Sequence, residues 1–281
     1  MSFFAAVVFA LLAGITEILP VSGTGLLFGA AKLFGVPTSG AAFESFRGIL
    51  YFGVALGALL YYHTQIWDIL RERLVLLGIA RPVGRKRAVP FGRRLWSLLL
   101  CATLPMLPAL LLNGLRTRME QGGLYLAWIS LFFCVSGTVL FFLTRGARGG
   151  RGIHQTDLSD VVFAGVFQVF SIFPGASRSG LTLTALLSQG LDGPAAMEFS
   201  GLMGIPVFLA AGIVSLISAS GFEGAPCDTT FMVLGFALSA LSSFFTIRIM
   251  TEWISRHRLT CFAYWTWGAA LLSMSLFLIS A

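Results

Sequence analysis

Two short runs of this sequence combine residue types that apolar surroundings ordinarily exclude. Ser22-Gly23-Thr24-Gly25 follows Pro20, and Ser177-Arg178-Ser179-Gly180 follows Pro174, each inside a long apolar stretch. Glycine and serine permit tight turns whose successive backbone N–H groups form anion-binding nests. A helix starting at such a turn adds free N–H groups and the positive end of its dipole. Arg178 adds a planar guanidinium fork that matches phosphate geometry. Ser22, Thr24, Ser177 and Ser179 add hydroxyl donors, and Gly25 and Gly180 allow close approach of the backbone. Together these types suit a phosphate or diphosphate whose lipid tail stays in a membrane.

The rest of the composition supplies that membrane. Of 281 residues 57% are apolar and only 11% charged, against about 25% charged in a soluble domain. Several apolar runs reach the roughly 17–25 residues needed to cross a bilayer. The 32 glycines suit membrane helices, where small residues let backbones approach. The net charge of +7 does not point to nucleic acid, because the arginines lie between apolar runs, where they set orientation. The four cysteines show no metal-knuckle spacing and imply no disulfide framework. Met1–Gly14 lacks the basic start of a signal peptide and is taken as part of the fold.

Six runs read as spanning helices: Phe46–Tyr62, Leu95–Leu115, Leu124–Leu143, Met197–Ser218, Phe231–Met250 and Cys261–Ile279. The connection Arg71–Arg94 is crowded with Arg and Lys. Arg145, Arg148 and Arg151 follow the third run, and Arg256 and Arg258 the fifth. The loop Ala219–Thr230 has Glu223 and Asp228 and no basic residue. The positive-inside rule then puts the three basic connections in the cytoplasm. Arg116 and Arg118 conflict with it, since their connection falls outside.

Two further apolar segments, Phe3–Leu33 and Asp160–Leu191, contain the polar runs and are too broken to span. Broken backbone at membrane depth must be buried in protein or line a wet cavity. Each is therefore expected to be a re-entrant helix–loop–helix. The predicted fold is all-α and polytopic: six transmembrane helices and two re-entrant hairpins in one membrane domain, residues 1–281. The two halves, about 1–143 and 158–281, have opposite orientation. Inverted repeats of broken helices place a site at the repeat interface. At that depth an ionisable residue costs several kcal/mol and marks a site by default. This applies to Arg178 and Glu17, whose alternative roles are a structural ion pair and a cap. Glu44 and Arg47 read most simply as an ion pair, and Gln168 as an amide tying loop backbone. Glu198 reads equally as structural or as part of the site.

The segment Gly14-Ile15-Thr16-Glu17-Ile18-Leu19-Pro20-Val21-Ser22-Gly23-Thr24-Gly25 resembles the first signature of the bacterial undecaprenyl-diphosphatase family of the bacitracin-resistance type. Pro174-Gly175-Ala176-Ser177-Arg178-Ser179-Gly180-Leu181-Thr182 resembles the second, followed by Glu198-Phe199-Ser200. The resemblance implies a polyprenyl-diphosphate substrate and hydrolysis to the monophosphate in lipid-carrier recycling, in a bacterial plasma membrane. Hydrolysis of a diphosphate needs a nucleophile, charge neutralisation and a general base, so Glu17, Ser22 and Arg178 are the expected catalytic residues, with Ser22 attacking and Glu17 as base or as ligand to Mg²⁺ or Ca²⁺. Thr24, Gly25, Ser177, Ser179 and Gly180 bind substrate. No nucleic acid is expected as partner, and a homodimer is left open.

The chain also departs from the family pattern. Ala13 stands where Glu is common, Gly23 for Ser and Leu26 for His. Arg47 falls at an acidic position, and Tyr51 where His or Gln is common. The remaining histidines, His63, His154 and His257, fall in cytoplasmic connections. A non-hydrolytic relative that binds or flips a polyprenyl phosphate is the alternative function.

Overall fold

The computed structural model describes residues 1–79, 91–145, 149–256 and 259–280. Arg81, Arg85, Lys86, Arg87, Arg148, His257 and Arg258 lie outside the described residues, so that part of the charge pattern stays a sequence argument. The described residues are helical apart from loops and one isolated bridge between Arg151 and Leu191.

Five helices are long and apolar enough to cross a bilayer: α3 (Ala41–Tyr61), α8 (Tyr125–Arg145), α11 (Gly193–Ser220), α12 (Thr229–Ile254) and α13 (Thr260–Ser280). The chain is thus an all-α polytopic membrane protein. The expected straight span Leu95–Leu115 takes a different form. It breaks into α5 (Phe91–Thr103), α6 (Met106–Ala109) and α7 (Asn113–Gln121), and pieces 94–109 and 113–121 meet at 63°. Pro105 and Pro108 explain the break, because proline lacks the N–H that continues a helix and clashes with the preceding turn. Counted as one bent span, these pieces bring the total to six.

Helix α3 is the hub. Its Gly53 and Gly57 face α12, where an added Cβ would lie 1.9 Å from Ser239 Oγ and Ser243 Oγ. This close packing of small residues is how membrane helices associate when lipid is as apolar as the protein. At the other extreme α13 leaves Trp265, Leu271 and Ile279 exposed. Such an outer face suits lipid, whereas in water a contiguous apolar surface invites association.

The two predicted helix–loop–helix segments are present. The first is α1 (Phe3–Thr16) followed by α2 (Gly23–Leu33). The second is α9 (Leu158–Val169), a short 3₁₀ turn and α10 (Arg178–Ser188). At 1.5 Å per residue these helices reach only about 16–21 Å, short of the roughly 30 Å of a hydrocarbon core. Each turn enters its second helix through a serine N-cap. Ser22 Oγ accepts from Gly25 N at 3.2 Å and Ser177 Oγ from Gly180 N at 3.0 Å. Each cap satisfies an orphan donor. The tips touch: Ser179 Oγ donates to Leu19 O at 2.5 Å. Before the second tip Gly175 has φ +95°, and a Cβ there would sit 2.4 Å from Ile129 O. Glycine meets both demands.

Candidate active site

Beside the touching tips lies a cavity of about 380 Å³ lined by both polar and apolar side chains. The polar part of the wall includes Glu17, Ser22, Tyr51, Arg116, Glu120 and Arg178. Leu100, Leu104 and Leu107 from the broken span, and Pro206, Val207 and Val214 from α11, form the apolar part. An amphiphile with a charged head and a hydrocarbon chain fits such a wall.

The charged residues are held by different means. Glu17 follows directly on α1, its N–H bonded to Ala13 O at 3.1 Å. A Cβ at position 23 would lie 2.2 Å from Glu17 Oε1, so the carboxylate rests in the space a Gly23 side chain would fill. Arg178 opens α10 with its side chain buried under α11. It donates to Ser200 O at 3.2 Å and lies 4.7 Å over the Phe208 ring. A Cβ on Gly204 would approach its guanidinium nitrogens to 2.6 Å, so glycine there leaves the space they occupy. A cation over an aromatic face gains about 0.5–2 kcal/mol. These contacts leave a donor over: Arg178 Nε is buried with no hydrogen-bond partner among the described residues. The positive charges of Arg178 and, more weakly, Arg47 act on Glu17.

The remaining sequence candidates divide. Thr24 lines the cavity, its hydroxyl 3.0 Å from Tyr51 Oη. Gly25, Ser177, Ser179 and Gly180 do not line it. Gly25 packs on Phe133, Ser177 caps α10, Ser179 binds Leu19 O, and Gly180 lies against Ser177 and Pro20 O. From the second tip the cavity receives Ala176 and Arg178.

Glu44 and Arg47 do form an ion pair, at 2.7 Å, but Glu120 of α7 joins it at 3.0 Å, and all three are buried. Sequence spacing had no means to reveal that partner, which lies 73 positions from Arg47. Gln168 does not tie backbone with its side chain. Both amide atoms are buried without a hydrogen-bond partner among the described residues, and it is its main-chain oxygen that accepts from Ser171 Oγ. His63 and His154 are not in the cavity wall. Tyr51, Arg116, Glu120 and Phe208 went unassigned to the site by sequence reasoning. For Arg116 a signal existed, its conflict with the charge rule.

The donor set does not fit a resident divalent cation. Among the described residues no three His, Cys, Asp or Glu side chains gather around one point. Of the two cavity carboxylates, Glu120 is held by Arg47, leaving Glu17 alone. Ca²⁺ takes about six to eight oxygens and Mg²⁺ a near-octahedral set.

Residues 6–272 match the family described as bacitracin resistance protein BacA. The chain belongs to the BacA family. It is 33% identical to the undecaprenyl-diphosphatase of Acidothermus cellulolyticus, over 92% of this chain and 91% of that protein. It is 32% identical to the undecaprenyl-diphosphatase of Anaeromyxobacter sp. (strain Fw109-5), over 96% and 86%. The undecaprenyl-diphosphatase of Carboxydothermus hydrogenoformans is 29% identical, over 95% and 94%. Gly23 makes room for the Glu17 carboxylate, and Arg47 is paired with Glu44 and Glu120. Ala13 is buried in the core, and Leu26 packs against it.

Proposed function

We propose that this BacA-family protein hydrolyses undecaprenyl diphosphate to undecaprenyl phosphate, recycling the lipid carrier of bacterial cell-wall synthesis. One observation supports the reading: Glu17, Ser22 and Arg178 line one cavity whose wall is part polar and part apolar, and Arg178 Nε has no hydrogen-bond partner among the described residues. The isoprenoid chain lies along the leucines of the broken span and the apolar face of α11. The guanidinium of Arg178 and the N–H groups at the start of α2 face the diphosphate. They stabilise the charge that develops on its oxygens.

Ser22 Oγ attacks the terminal phosphorus and passes its proton to Glu17. The bond from that phosphorus to the bridging oxygen breaks, and undecaprenyl phosphate leaves with the proton Glu17 returns. Water then attacks the phosphoserine. Glu17 takes a proton from the water and gives it to Ser22 Oγ as inorganic phosphate departs. None of these steps passes through a metal. A divalent cation enters this reading only as a companion of the diphosphate oxygens, so the assay is run with and without Mg²⁺ or Ca²⁺.

Purified protein given a polyprenyl diphosphate is expected to release phosphate. Glu17→Gln is expected to lower that rate about 10²–10⁴-fold, the usual worth of a general base, while lipid binding survives. Binding without phosphate release by the parent would instead identify a non-hydrolytic lipid-phosphate transporter.

The finer architecture belongs to the same proposal. The halves 1–143 and 158–281 stand inverted in a bacterial plasma membrane, with the Arg71–Arg94 connection in the cytoplasm. The lipid is the one partner this requires. A single cysteine placed in that connection is expected to resist an impermeant thiol reagent in intact cells. Labelling equal to that in opened cells reverses the topology.

A further inference from the structure

We infer that Arg116 is a second phosphate-binding cation of this site and sets its preference for a diphosphate over a monophosphate. The inference rests on the phosphatase reading for the identity of the ligand. A prenyl diphosphate brings more than one negative charge. Arg178, with the Glu17 carboxylate beside it, leaves little net positive charge to meet them, so a further cation is needed.

Arg47 is not that cation. Its side chain is 1% exposed, its two terminal nitrogens are taken by Glu44 and Glu120, and it is absent from the cavity wall. Arg116 is in the wall, on α7, with its side chain 13% exposed. Its carboxylate contact is Glu120 Oε1 at 4.0 Å, beyond hydrogen-bond reach. Arg116 Nε and Glu120 Oε1 are both buried without a hydrogen-bond partner among the described residues. Glu120 is a weak competitor for Arg116, because its other oxygen already binds Arg47. The arrangement holds a guanidinium at the cavity by charge attraction while leaving its donors unspent. It also accounts for a basic residue on a connection that the charge rule places outside the cell. Two positions on, Arg118 is exposed and absent from the wall, which makes it a built-in control.

The test compares full-length parent, Arg116→Ala, Arg116→Lys and Arg118→Ala, using farnesyl diphosphate and farnesyl phosphate as short-chain probes. Direct binding of both probes and the KM and kcat for the diphosphate are measured. Arg116→Ala is expected to weaken diphosphate binding and raise its KM about tenfold or more, as loss of a charge-assisted contact does. Monophosphate affinity and kcat should change little, and retained monophosphate binding also shows that the variant is folded. Arg116→Lys should recover part of the loss, keeping charge but not the fork. Arg118→Ala should match the parent. An unchanged diphosphate preference in Arg116→Ala, or an equal loss for both probes, overturns the inference. If the parent binds with an Arg116-dependent preference but releases no phosphate, hydrolysis fails and the role of Arg116 stands. If the parent binds neither probe, both fall.

Discussion

At Ser22 and at Ser177 the chain turns with nearly the same backbone angles, φ −81° and ψ 113° against φ −83° and ψ 113°. Each serine caps an eleven-residue helix in the same way. The side chains around the two caps are used differently. At the first tip Ser22, Gly23 and Thr24 all reach the cavity. At the second, neither Ser177 nor Ser179 lines the cavity: the Ser177 main-chain N–H donates to Ser136 Oγ, and Ser179 Oγ donates to Leu19 O. There the cavity is lined by Phe173, Pro174, Ala176 and Arg178, of which Arg178 alone is charged. One tip brings hydroxyls and a neighbouring carboxylate, and the other brings positive charge on a rigid support. Similar local geometry therefore does not mean similar chemistry.

The widest separation is expected between the two cap serines themselves. Ser22→Ala and Ser177→Ala each remove one cap, so each should lower stability by about 1 kcal/mol, read as similar shifts in thermal unfolding in detergent. Phosphate release should fall about 10³-fold or more in Ser22→Ala, on the scale of losing a nucleophile, and only a few-fold in Ser177→Ala. Equal losses of activity would return Ser22 to a purely structural role.

Arg178 tests what the second tip contributes. Arg178→Lys keeps the charge without the bidentate fork, and Arg178→Ala removes both. Affinity for the lipid diphosphate should fall in that order, by about tenfold and then about a hundredfold, in line with charge-assisted contacts of about 1.5–3 kcal/mol. If the alanine variant binds as tightly as the parent, Arg178 is a structural residue held by Ser200 O and Phe208.

The smallest contrast uses two glycines of the first tip. A Cβ at Gly23 meets the Glu17 carboxylate, whereas one at Gly25 meets the Phe133 ring at 2.7 Å. Gly23→Ala should displace Glu17 and lower kcat about tenfold, with little change in unfolding temperature. Gly25→Ala should instead cost about 1–3 kcal/mol of stability through overpacking with a smaller change in kcat. A kcat loss confined to Gly25→Ala would contradict the placement of Glu17.

Much of this molecule was legible in its sequence because the bilayer is a severe solvent. A chain with 11% charged residues has few ways to fold there, and its apolar runs and broken segments mark helices directly. Ser22 and Ser177 were readable as turn and helix-start residues from their glycine and proline surroundings, since capping depends on neighbours in the chain. The exception among the spans, the interruption after Thr103 and the bend after Ala109, was signalled by Pro105 and Pro108 but was outweighed by the length of the apolar run.

Sequence alone thus determined the membrane environment, the helical elements, the two serine-capped turns, and Glu17, Ser22 and Arg178 as the residues to watch. Tertiary structure decided which of those residues face the cavity. Thr24 and Ser179 hold matching places in the two runs, yet the Ser179 hydroxyl bonds Leu19 O while Thr24 lines the cavity. Tertiary structure also decided the company of Arg47, whose charge is absorbed by Glu120 from across the fold, and left Arg116 with donors to spare. The physical reason is range. Capping and hydropathy act between near neighbours, whereas ion pairing and burial depend on which distant helices pack together.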